Sequence, residues 1–193
     1  MPISTSSVKR SLLVVVVLLW ASAFALAAEH AASGAITHNG KTMNLRAGVA
    51  VWNAAENQLR IALLPFEPTA AEVREIRKSG AVFVAAERPS PNPSVWERPP
   101  FAELIINFAP GITTAGLQAV THYRLDISWL DRMNHTSSPN RNSQEEARRE
   151  FQSLSGSLRD SGSLRLAIKG AETIFDDKLD WNFRVDATIG AGR

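Results

Sequence analysis

The sequence predicts a mainly β protein, either an antiparallel β-sandwich or a partly open barrel, with about eight strands and two short helices. Three observations support this fold class. Apolar and polar residues alternate in several stretches, most clearly over 181–189. Asn39-Gly40 separates two such stretches in the manner of a two-residue hairpin turn. Helical signals occur in only two short segments, each of which starts with a capping box.

The first 27 residues have the pattern of a secretory signal peptide. Lys9 and Arg10 precede an apolar run, and Ala25-Leu26-Ala27 supplies the small-x-small pattern that a signal peptidase recognises. We therefore predict cleavage after Ala27 and a periplasmic or extracellular location in a bacterium. The alternative is an uncleaved membrane anchor, for which the 17 residues of 12–28 are near the lower limit of length.

Removal of residues 1–27 changes the charge of the protein. Lys9 and Arg10 are lost, so the 21 basic residues become 19 and balance the 19 acidic ones. A neutral domain of residues 28–193 does not favour nucleic acid as a partner, and it would contact a membrane only through an uncleaved signal segment. The chain has no cysteine, which excludes disulfides, thiol catalysis and cysteine metal sites.

In the first half of this domain, strands are predicted around 35–38, 41–45, 49–52, 59–63 and 81–86. A helix is predicted from the capping box at Thr69 to about Gly80. Five prolines make 89–100 a stiff loop. We interpret it as a surface loop of a single domain, because the roughly 60 residues before it are marginal for an independent core.

In the second half, strands are predicted over 101–108, 119–129, 164–169 and 181–189. In the second of these, Tyr123 and Trp129 are expected on the apolar face and Val120 and His122 on the other. Residues 131–143 are predicted as a polar loop. A helix starting at the Ser143 capping box is expected to bury Ala147, Phe151 and Leu154.

The chain contains no recognisable catalytic motif. Gly40-Lys41-Thr42 lacks both the glycine spacing and the following helix of a phosphate-binding loop. The histidines lack helical metal-binding spacing, and the three aspartates of 176–180 lack that of a calcium loop. No metal or cofactor is therefore expected. Glu103 and Asp126 are weak candidates for a catalytic carboxylate pair, since sequence does not reveal the distance between them.

The predicted binding residues are Trp96, Glu97, Arg98 and His135, because they lie in the long loops 89–100 and 131–143. The expected function is non-enzymatic binding of an unidentified protein or glycan partner outside the cytoplasm. Two alternatives stay open: an exported carbohydrate-active hydrolase, and a structural subunit of an envelope assembly.

Overall fold

The computed structural model describes residues 29–79, 101–128, 135–141, 143–174 and 176–191. This part of the chain contains two α-helices, α1 (Ala70–Ser79) and α2 (Gln144–Glu150), and a short 3-10 turn at Leu117–Ala119. Its eleven strands are β1 (His30–His38), β2 (Lys41–Asn44), β3 (Ala47–Asn53), β4 (Gln58–Leu64), β5 (Phe101–Phe108), β6 (Thr114–Gly116), β7 (Val120–Ser128), β8 (His135–Arg141), β9 (Phe151–Ser157), β10 (Ser163–Ile174) and β11 (Asp177–Ala191).

All eleven strands belong to one sheet with the order β6-β9-β10-β11-β1-β3-β4-β5-β7-β8, and β2 pairs with β1. The pairings are antiparallel except for a short parallel contact between β11 and β3. The sheet curls into a half-barrel with β6 and β8 at its two ends. The predicted fold class is therefore confirmed, and the partly open barrel is the architecture the chain adopts.

The concave face of the sheet encloses the main core. Because side chains alternate between the two faces of a strand, every second side chain lies on this face. These residues include Ile36, Ala50, Trp52, Leu59, Ile61, Leu63, Leu104, Ile106, Tyr123, Leu125, Leu164, Leu166, Ile168, Trp181, Phe183 and Val185. Trp52 and Trp181 are 9% and 1% exposed, so both are core residues rather than surface contacts.

A second, smaller core lies on the convex face, where α1 covers part of the sheet. It consists of Ala47, Val49, Val51, Ala62, Leu64, Val73, Ile76 and Phe101. The predicted capping box starts this helix: the Thr69 amide donates to Glu72 Oε2 at 2.6 Å, and the Glu72 amide donates to Thr69 Oγ1 at 3.2 Å. Strands under the helix are thus buried on both faces.

The predicted Asn39-Gly40 hairpin turn is confirmed. Both residues have positive φ, 48° and 78°, as a two-residue hairpin of this type requires. Asn39 also joins the turn to the β10–β11 hairpin, because its side chain donates to Asp177 at 2.6 Å and accepts from the Lys178 amide at 2.8 Å. Asp177 is therefore a structural partner of this turn.

Residues 131–143 were predicted as a polar loop, and this is wrong for 135–141, which form strand β8. The backbone of β8 pairs with β7, and backbone hydrogen bonds need no apolar alternation. The pairing register shifts opposite Arg124 and Asp126, near Pro139. Proline in sheets is found mainly on edge strands and at bulges, and β8 is both the last strand in the order and irregularly paired at this point.

Two predicted burial patterns also differ from the structure. Phe151 and Leu154 are buried, but on β9, because α2 ends at Glu150 and Phe151 is extended with φ −72° and ψ 117°. Val120 was expected outside but is fully buried, because a register shift at Asn107 and Phe108 pairs Phe108 with Val120. The register shift thus places Val120 on the face opposite to the one that strict alternation predicts.

The predicted signal segment, the 81–86 strand, the 89–100 loop and Trp129 lie outside the described residues. Among the residues described, no helix has the length and apolar character needed to cross a membrane.

Candidate functional site

The structure describes one of the four predicted binding residues. Trp96, Glu97 and Arg98 lie outside the described residues, so that contact surface stays a prediction. His135 is the first residue of β8 and pairs in register with Ser128, so it lies in a strand and not in the predicted loop. The strand position of His135 corrects the predicted loop, and its role in binding stays a prediction, like that of the other three residues.

Glu103 and Asp126, the weak candidates for catalysis, do come together. They are direct cross-strand partners on β5 and β7, on the convex face. Arg60 donates to both Glu103 oxygens, at 2.8 and 3.0 Å, and Arg124 donates to Asp126 at 2.9 Å. Each carboxylate thus has its own arginine, and two such arginine–carboxylate pairs fit a structural role better than an acid–base pair.

Burial of Glu103 raises the pKa of its carboxyl, and the hydrogen bond from Arg60 opposes that rise. Its side chain is only 9% exposed, whereas that of Arg60 is 31% exposed. The guanidinium therefore covers the carboxylate and makes its burial tolerable.

A groove of about 540 Å³ lies on the convex face, in a part of the sheet that neither of the two described helices covers. We call it the outer groove. It crosses β9, β10, β11 and β1, and its outward-facing lining combines small side chains with longer polar ones: Ala31, Ser33, Ser153 and Ala167, and Gln152, Arg165, Arg184 and Asp186. Its volume is within the range of ligand sites, although its lining is more polar than that of most.

The register explains how this groove forms. Ser33, Arg184, Ala167 and Ser153 lie in one row across four strands, and Ala31, Asp186 and Arg165 lie in the next. The small residues leave a depression, and the long ones stand beside it. Arg165 donates to Asp186 at 3.1 Å, whereas Arg184 is exposed and has no ion-pair partner among the described residues. The groove therefore presents an excess of positive charge.

A second polar group, which we call the seam cluster, joins the two ends of the curled sheet. It consists of Tyr123, Arg141, Glu150, Glu172 and Trp181. The Tyr123 hydroxyl on β7 donates to Glu150 at the end of α2. Arg141 on β8 donates to Glu150 at 3.0 Å and lies 3.3 Å from Glu172 on β10. Its guanidinium also stacks on Trp181 of β11, 5.8 Å from the ring centroid.

The seam cluster holds two carboxyl groups and one cation in a largely buried place. Glu150 and Glu172 are 16% and 25% exposed. Burial, together with the charge of Glu172, raises the pKa of Glu150 to about 7. Glu172 Oε2 and Trp181 Nε1 are buried with no hydrogen-bond partner among the described residues. Such features depart from ordinary core packing, although Glu172 Oε2 lies 3.3 Å from the Arg141 guanidinium.

The seam cluster was not predicted from the sequence, although one signal of it was present. Leu164, Leu166 and Ile168 face the core, and continuing that period places Gly170 and Glu172 on the same face. A charged residue at a position that the pattern assigns to the core indicates a buried ion pair. Gly170 fits the same picture, since a Cβ there would come within 2.3 Å of the Trp181 ring.

His30 is a further buried polar residue, at the point where β1 starts beside α1. It is 2% exposed, and neither ring nitrogen has a hydrogen-bond partner among the described residues. Burial lowers the pKa of His30, and the nearby charge of Arg77 lowers it further. His30 is therefore buried in its neutral form. The folded state keeps its full stability above pH 6.5 and loses stability as the pH falls below that value, because protonation would place a charge on a buried ring.

The described residues contain no group of three or more side chains placed to hold a metal ion. No protein-family model, curated protein or solved structure matches the chain. Its function therefore has to be argued from the geometry of its own residues.

Proposed function

We propose that the chain is an exported, non-enzymatic binding domain whose outer groove binds an acidic peptide segment of a partner protein. The observation that carries this proposal is Arg184, an exposed cation without an ion-pair partner in the described chain, in a groove that already contains Arg165. A carboxylate is the natural partner for such a guanidinium.

The lining of the groove favours a peptide over a neutral glycan. None of the described residues that line it is aromatic, so this part of the chain supplies no flat apolar side chain on which a sugar ring could stack. Ser33, Ser153 and Gln152 instead supply hydrogen-bonding groups beside the two arginines. Small side chains in the floor leave room for the backbone of an extended segment.

An extracytoplasmic location is part of the proposal, and it depends on the sequence pattern of the first 27 residues and on the absence of cysteine. The loop containing Trp96, Glu97 and Arg98 is a second proposed contact surface. The β8 edge of the sheet is a poor alternative for assembly, because β8 contains Pro139 and a register shift that disfavour the addition of another strand.

The test uses a fluorescein-labelled peptide of ten glutamates and measures its anisotropy at low ionic strength. The wild-type chain is expected to bind, and Arg184→Gln to raise the Kd at least about tenfold, since a charged hydrogen bond contributes about 1.5–3 kcal/mol. Arg74→Gln removes the same charge from the exposed face of α1 and should change the Kd less than about twofold.

Two outcomes would overturn the proposal. Equal weakening by Arg184→Gln and Arg74→Gln would mean that net charge alone attracts the peptide. Binding of a neutral oligosaccharide in the groove without binding of the peptide would assign the groove to a glycan.

A further inference from the structure

We propose that the outer groove selects acidic peptide segments in which acidic residues alternate with neutral ones, because Lys169 forms a second carboxylate site beside Arg184. The inference deepens the proposed function and rests on it. It gives a role to Lys169, which follows the lining residue Ala167 as the next outward residue of β10.

Lys169 and Arg184 lie on the same face of the sheet. The residue before each of them belongs to the main core, Ile168 on β10 and Phe183 on β11. Because side chains alternate along a strand, the two cations point away from the core, and both are exposed. The convex face therefore presents both of them to the same ligand.

The register of β10 and β11 determines how far apart these cations are. Arg184 pairs directly with Ala167, and Lys169 pairs directly with Asn182. Lys169 and Arg184 are therefore diagonal neighbours on adjacent strands, about 7–8 Å apart. Ala167, which is next to both, has a short side chain, so it leaves room between the two long ones.

The charges around Arg184 distinguish Lys169 from Arg165, the other exposed cation that is diagonal to Arg184 on β10. Arg165 donates to Asp186 at 3.1 Å, whereas Lys169 has no ion-pair partner in the described chain. Asp180 is also diagonal to Lys169, but no ion pair joins the two among the described residues. A ligand carboxylate must therefore displace Asp186 to reach Arg165, but displaces only water at Lys169.

An extended peptide matches the separation of Lys169 and Arg184. Its residues rise about 3.3 Å each and every second side chain lies on the same side, so two acidic residues separated by one neutral residue are about 7 Å apart on one face. Adjacent acidic residues point to opposite faces, and only one of them can reach the sheet. Asn182, beside Lys169, adds an exposed amide that can bond to the peptide backbone.

The test compares two peptides of the same composition, four glutamates and six serines. One has the order ESESSESESS, in which glutamates are separated by single serines. The other has the order EESSSEESSS, in which glutamates are adjacent and no two are separated by a single residue. Each peptide displaces the labelled peptide of ten glutamates from the full-length chain, and the anisotropy gives its Kd. Because the two peptides carry the same charge, the ratio of their Kd values reports the spacing alone.

The alternating peptide is expected to bind about threefold more tightly, which corresponds to one additional exposed ion pair. Lys169→Gln should remove this difference. Arg165→Gln is the matched control, because it removes one positive charge from the other diagonal neighbour of Arg184 on the same strand. It should weaken the binding of both peptides and keep the ratio of about three. A variant that folds only in part binds both peptides less by the same factor, so the ratio still reports the spacing.

Equal Kd values for the two peptides in the wild-type chain, or an unchanged ratio in Lys169→Gln, would overturn the selection by spacing. So would loss of the ratio in Arg165→Gln as well. These results leave the proposed function in place as long as the peptide of ten glutamates binds and Arg184→Gln weakens it. Failure of that peptide to bind would instead overturn the proposed function and this inference together.

Discussion

The convex face of the sheet has two regions that differ in what covers them. Over β3, β4 and β5, helix α1 covers an apolar surface that contains Val49, Leu64 and Phe101. Over β9, β10, β11 and β1, no described element covers the sheet, and the outward residues are small, polar or charged. The first region stabilises the fold, and the second contains the outer groove for which we propose a binding role.

This difference is already present in the sequences of the strands. β3 reads AGVAVWN and is buried on both faces except at its last residue, whereas β11 reads DKLDWNFRVDATIGA and alternates over most of its length. A strand whose outward-facing residues are apolar needs another element packed on that face, whereas a strand that alternates apolar and polar residues can leave its polar face in water. Substitutions should therefore affect stability in the covered region and binding in the uncovered one.

The largest effect is expected for Leu64→Ala, beneath α1. Leu64 is fully buried, so its truncation removes apolar contacts and leaves a cavity, with an expected loss of about 2–5 kcal/mol in the free energy of unfolding. Ser33→Ala in the outer groove is the control and should change that free energy by less than about 0.5 kcal/mol. Urea unfolding measures both. Similar values for the two variants would contradict the division into covered and uncovered regions.

A sharper comparison uses two arginines that each bind a carboxylate on a neighbouring strand. Arg60 binds Glu103, which is 9% exposed, whereas Arg165 binds Asp186, which is 55% exposed. Arg60→Ala leaves a buried carboxylate unpaired and should cost about 2 kcal/mol, which is less than a fully buried pair would lose. Arg165→Ala breaks an exposed pair and should cost less than about 0.5 kcal/mol.

The pH dependence of these two variants provides an independent check. Burial already raises the pKa of Glu103, and loss of Arg60 removes the interaction that opposes this rise. The loss of stability in Arg60→Ala should therefore be greater at pH 8 than at pH 5, where Glu103 can be buried with its proton. Equal losses at the two pH values would mean that Arg60 acts through packing of its side chain rather than through its charge.

The parts of the fold that sequence predicts are those governed by local rules. Strands β4 and β5 follow their patterns closely, and Asn39-Gly40 and the Thr69 capping box form as expected. Strand β8 was missed because its polar sequence and Pro139 are typical of a loop, and only pairing at the end of a curled sheet makes a strand of it. Similarly, the burial of Val120 depends on a register shift that no local pattern reveals.

The seam cluster could not be predicted as a unit, because its members come from β7, β8, α2, β10 and β11 and meet only when the sheet curls. Glu172 at a core position was the one visible signal. The outer groove depends in the same way on the register of four strands, which brings Ser33, Ala167, Arg184 and Ser153 into one row. Composition predicted neither site, because each is a property of pairing.

A more modest loss of stability is expected at the start of α1, which covers the first region. Thr69→Ala removes the acceptor for the Glu72 amide and should cost about 1 kcal/mol in the free energy of unfolding. Thr69→Ser keeps a hydroxyl at the same place and should recover most of that loss. Because the cap acts on the covering helix, hydrogen exchange in residues 70–79 should accelerate while that of β10 and β11 changes less. Uniform acceleration in all three elements would mean that α1 and the sheet open together, so that the covered region is part of one cooperative unit with the rest of the barrel.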